Sequence, residues 1–139
     1  MNPIARNIVA VLLGIVIGGS VNSALVSISG DIIALPDGFD PNDPESLIKY
    51  MPLFETKHFI MPFLSHALGT FTGAIVTGLI CTKKSNNLVY LISGVFFLGG
   101  TIMLVMISSP IWFTILDLVG AYFPMAWLAK KLLPKKSIG

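Results

Sequence analysis

Charge is scarce in this chain, and cysteine and histidine are scarcer still: 12% of its 139 residues are charged, and it holds one cysteine and two histidines. A lone cysteine, Cys81, excludes an internal disulfide framework. No nucleotide loop, metal-ligand cluster or nucleophile motif rises above chance in the sequence, so a nucleotide-driven or motif-defined hydrolytic chemistry has no support in it. Acidic residues are few and unevenly spread. Asp31, Asp37, Asp40, Asp43, Glu45 and Glu55 fall in one short stretch, and the seventh acid, Asp117, stands alone.

What the chain has instead is apolar length. Hydrophobic residues make up 54% of it, and the mean hydropathy of +0.83 is far above that of a water-soluble domain. Four apolar stretches, Ile4–Ile28, Pro62–Cys81, Leu88–Ile107 and Pro110–Leu128, are each about long enough to cross a bilayer. The expected fold class is all-α, an integral membrane four-helix bundle forming a single transmembrane domain over residues 1–139, with an external loop at 29–61. The first stretch runs well past the apolar core of a cleaved signal peptide, so it is expected to be retained as a span.

Orientation follows from the basic residues, which are held on the cytoplasmic side during insertion. Arg6 precedes span one, Lys83 and Lys84 lie between spans two and three, and Lys130, Lys131, Lys135 and Lys136 follow span four. The acid-rich loop carries only Lys49 and Lys57. Both termini are therefore expected in the cytoplasm of a multi-pass plasma (inner) membrane protein, as an even number of spans requires. In the loop, Asp43 followed by Pro44 and Glu45 predicts a helix start, and Leu47, Ile48, Tyr50, Met51 and Phe54 supply an apolar face for a short interfacial helix. Ser109 reads as a cap and Pro110 as the first residue of span four. Trp112, Trp127, Tyr90 and Tyr122, near span ends, read as interfacial anchors.

Each span carries a stripe of small or polar residues, which in lipid marks a helix-packing face. Span one offers Gly14, Gly18 and Asn22. Span two offers His66, Gly69, Thr70, Gly73 and Thr77, span three Ser93, Gly100 and Thr101, and span four Thr114, Asp117, Gly120, Ala121 and Pro124. Packing within the chain is the plainer use of the glycines, homo-oligomer contact the sharper one.

Depth turns the stripes into a candidate site. At 1.5 Å per residue, Asn22 lies about 10 Å, Thr101 about 9 Å, Asp117 about 9 Å and His66 about 6 to 12 Å below the outer ends of their spans. A carboxylate at that level is costly, roughly 2 to 3 kcal/mol on insertion scales, and needs a partner or a wet cavity. His66 is the candidate partner of Asp117, with Asn22, Thr101 and Thr114 able to hydrogen-bond what remains; Thr70 is a further binding candidate, and Glu55 and His58 stand at the expected external mouth. His58 and His66 are eight residues apart, about 80° around a helix, which does not suit a metal site. No metal, cofactor or nucleic acid is expected. The leading reading is binding or transport of a small solute or ion at a polar layer open to the external face. The alternatives are a scaffold or accessory subunit of a larger membrane complex, and a lipid-modifying membrane enzyme.

Overall fold

The computed structural model describes residues 2–134. Lys135 and Lys136, counted above in the basic cluster, lie outside the described residues. Seven α-helices run in chain order: α1 (Pro3–Ser27), α2 (Ser29–Ile32), α3 (Pro44–Tyr50), α4 (Ile60–Ile80), α5 (Leu88–Met106), α6 (Ile111–Gly120) and α7 (Phe123–Leu132), with no strand among the described residues. Four stretches are long and apolar enough to cross a membrane: α1 with α2, α4 with the 3-10 turn before it, α5, and α6 with α7. The large aliphatic side chains point outward, Ile8, Leu12, Leu98, Ile102, Ile115 and Val119 among them, while Ser65, Thr70, Thr77, Ser93 and Asp117 are buried. That inversion of a soluble core is what a hydrocarbon solvent selects.

Helix starts follow local chemistry. Asn2 caps α1 by accepting from the Ile4 amide at 2.9 Å, with Pro3 in the first turn. Asp43 caps α3 by accepting from the Glu45 and Ser46 amides at 3.0 and 3.2 Å. The turn between α5 and α6 differs from the sequence expectation. Ser109 does not cap α6: Pro110 occupies the cap position, no side chain satisfies the first amides, and the Ser109 hydroxyl is buried without a partner among the described residues. Instead α5 ends in a Schellman turn, with the Ser108 and Ser109 amides donating to Val105 O and Leu104 O and Ser108 at φ 51°.

Helix α4 is central, packed on α1, α5 and α7 and, near its start, on α6. Its closest neighbour is α1, and glycine is the reason. A Cβ on Gly73 would stand 2.6 Å from the Gly14 carbonyl oxygen, and one on Gly18 would stand 2.5 Å from that of Gly69. Two small-xxx-small faces therefore meet backbone to backbone within one chain. The Thr77 hydroxyl adds a bond across the crossing to Ala10 O, 3.1 Å.

The two ends of the bundle are chemically different. At one end the Thr82 amide donates to Asn7 Oδ1 (2.9 Å), Asn7 Nδ2 donates to Ser85 Oγ (2.7 Å), and Lys130 Nζ donates to Asn87 Oδ1 (2.5 Å), which gathers the basic residues of three segments. At the other end Met51, Phe59, Leu104 and Phe113 form an apolar cluster that fastens the 33–59 loop over α5 and α6.

The fourth span is not one helix. Pro124 has no amide to donate and its ring would collide with the carbonyl one turn back, so the helix stops at Gly120 and restarts at Phe123. Tyr122, at the joint, is 1% exposed. It is therefore not an interfacial anchor: the break turns its ring inward between α4 and α5.

Candidate functional site

Asp117 lies one turn before the break and is fully buried. Its carboxylate is shared. His66 Nδ1 is 2.9 Å from both oxygens, and the Tyr122 hydroxyl donates to Oδ2 at 3.0 Å. A carboxylate can only accept, so the proton at this contact sits on Nδ1 and the imidazole is held with Nε2 pointing away from the acid. The Tyr122 ring stacks on His66, centroids 5.8 Å apart and planes 27° apart. Gly100 makes this arrangement sterically accessible, because a Cβ there would lie 2.7 Å from Tyr122 Cζ.

Beside this triad is a cavity of about 220 Å³ between α1, α4 and α5. Asn22, His66, Thr70 and Tyr122 line it, together with Phe96 and backbone exposed at glycines. Asp117 does not reach it and acts only through His66 and Tyr122. Two polar atoms here lack any protein partner among the described residues: Asn22 Oδ1 and Thr70 Oγ1, both buried. Thr70 is informative because a buried hydroxyl on a helix has a ready acceptor in the carbonyl one turn back. Ser65 and Thr101 use it, donating to Met61 O and Phe97 O at 2.7 Å each. Thr70 does not, and among the described residues the hydrogen bonds of the His66 ring are made through Nδ1.

The structure thus brings together four of the sequence candidates, His66, Asp117, Asn22 and Thr70, and leaves three outside. Thr101 has the right depth but the wrong azimuth, with its hydroxyl turned back on its own helix. His58 is buried and occupied elsewhere: Nδ1 accepts from the Glu55 amide (2.8 Å), so Nε2 carries the proton and donates to Ala34 O (3.0 Å). It ties two ends of the loop together rather than opening a mouth. Glu55 is exposed and pairs with Lys57 at 3.3 Å. Tyr122 was hidden in the sequence, because a continuous fourth helix would have placed it near a span end. Pro124 was the signal that could have revealed it.

The geometry offers hydrogen-bond acceptors and one hydroxyl to a guest, with an imidazole oriented by a buried acid in the manner of a proton acceptor. It offers no aligned nucleophile, since no hydroxyl bonds to His66 Nε2 among the described residues. No three side chains of the metal-binding types converge among the described residues. No family model, no curated protein and no solved structure matches the chain, so the unpartnered groups around this cavity are the ground on which a function is assigned.

Proposed function

We propose that the chain is a multi-pass plasma-membrane protein, both termini cytoplasmic, that binds a small polar molecule in the cavity between α1, α4 and α5. The observation that carries this is that Asn22 and Thr70, whose Oδ1 and Oγ1 are buried and without partners among the described residues, line the same cavity as His66. A buried polar atom with no hydrogen bond costs about 1–3 kcal/mol, and a single guest that bonded both Asn22 and Thr70 would remove that cost at two positions. His66 serves as acceptor, aligned by Asp117, and Tyr122 fixes both. Gathering of Arg6, Lys83, Lys84 and Lys130 at one end supports a cytoplasmic assignment for that end and an outer position for α3. The site then lies toward the outer side.

The test is the occupancy of the cavity in a high-resolution structure prepared in native lipid. Non-protein density within hydrogen-bond distance of Asn22, Thr70 and His66 Nε2 is the expected result. A cavity closed by Phe96, with Asn22 bonded directly to Thr70, overturns the reading.

A further inference from the structure

The cavity has a floor and an open side, and both are set by glycine. Toward the basic end α1 and α5 touch through side chains: Cβ atoms placed on Gly14 and Gly18 would fall 3.1 Å from Ile92 Cδ1 and 2.9 Å from the Phe96 ring. One step toward the loop end the helices part, and nothing stands within 4 Å of a Cβ placed on Gly19 or Gly99, both of which line the cavity. The result is a notch with Phe96 as its base. Among the described residues its whole lining comes from membrane-spanning segments and none from the 33–59 loop. Val16 on α1 and Leu98 and Ile102 on α5 are exposed and apolar.

Resting on the ligand-binding reading above, we infer that this notch takes the head of an uncharged, hydroxyl-bearing amphiphile directly from the bilayer, its hydrocarbon tail leaving between α1 and α5. The chemistry of the walls selects the head. Asn22 Oδ1 and His66 Nε2 call for donors, and Thr70 can give or accept. Among the described residues no lysine or arginine lines the cavity, and the Asp117 carboxylate is withheld by His66 and Tyr122. An anionic head would enter without a counter-charge in a medium that strongly penalises one. The volume, about 220 Å³, has room for a glycerol-like head. The exposed apolar flanks of α1 and α5 then carry the tail.

The test uses the full chain in dodecylphosphocholine micelles, a detergent without a hydroxyl group, with ¹⁵N NMR of the two histidines assigned through His66→Gln. Monooleoylglycerol, glycerol and dioleoylphosphatidylglycerol are titrated in turn. Expected is a shift of His66 Nε2 with monooleoylglycerol only, and loss of that shift in Gly99→Phe, which fills the notch from a position with free space around it and leaves the polar groups intact. If glycerol shifts the resonance as strongly and Gly99→Phe is silent, the lateral mouth is wrong while the ligand site stands. If phosphatidylglycerol shifts it equally, the uncharged head is wrong. If none of the three moves it, and Asn22→Ala with Thr70→Val leaves it unchanged as well, the amphiphile and the ligand site fall together.

Discussion

Replacing Gly73 by alanine isolates the contact on which the bundle is built. The added methyl would stand 2.6 Å from Gly14 O, some 0.7 Å inside the ~3.3 Å at which carbon and carbonyl oxygen normally meet. Ile92 Cγ2 at 3.1 Å and the Phe96 ring at 3.3 Å close the other directions. A carbonyl held in a helical ladder cannot swing aside, so α1 must lift from α4. Overpacking of this kind costs about 1–3 kcal/mol. Against it stands the gain of up to about 1 kcal/mol that alanine brings to any helix interior. Gly94→Ala removes that ambiguity, because nothing lies within 4 Å of its Cβ and only the helix-propensity gain applies. The difference between the two variants is therefore expected near 1–3 kcal/mol, Gly73→Ala being the less stable. Reversible unfolding in mixed micelles, titrated with denaturing detergent, measures it. Equal midpoints for the two variants would show that the glycine crossing contributes nothing and that α1 is held some other way.

Three further outcomes follow from named contacts. Tyr122→Phe removes one of two groups bonded to the buried carboxylate and is expected to cost about 0.6–1.7 kcal/mol, whereas Asp117→Ala strands two donors and costs about 3 kcal/mol; the same unfolding assay ranks them, and a reversed order refutes the shared-carboxylate geometry. His58→Leu keeps the bulk beside Phe54 but loses the bonds to Ala34 O and the Glu55 amide, so amide exchange over residues 33–39 should quicken severalfold while α4 stays protected; unchanged exchange would leave His58 no anchoring role. Ser108→Gly relieves a left-handed backbone at the Schellman turn and should stabilise the chain by up to about 1 kcal/mol in the same titration, a loss of stability being the contrary result.

The features legible in the sequence were those that depend on one coordinate along a helix axis. Apolar run length yields four membrane-length segments, and the depth of a polar residue singles out His66 and Asp117, since each interrupts an apolar stretch that has nowhere else to put it. The glycine faces were visible for the same reason: Gly14, Gly18, Gly69 and Gly73 repeat at helical spacing, and the structure seats them against one another. Rotation about the axis was not legible. Thr101 has the depth of Asn22, yet its hydroxyl closes on Phe97 O, and neighbouring Gly100 takes the Tyr122 ring instead. Loop contacts were equally hidden, because the pairing of His58 with Ala34 is decided by tertiary packing across twenty-four positions. Tyr122 escaped through a different route. Its inward turn depends on Pro124 ending one helix and starting another, a local event that run length averages away.

That interruption has a consequence for what the fourth segment needs around it. Each half of the fourth segment has ten residues and spans about 15 Å, half the thickness of a hydrocarbon slab, so the joint falls deep among acyl chains. Irregular backbone survives at such a level only when other protein encloses it. Here the enclosure comes from earlier parts of the chain: Phe63 of α4 lies against Gly120, and Gly100 of α5 receives the Tyr122 phenol. The C-terminal segment accordingly cannot reach its final form as an independent inserted rod. Its acid and phenol are settled only where the imidazole of the central helix meets them, so the packing of the bundle and the shape of the pocket depend on the same contacts.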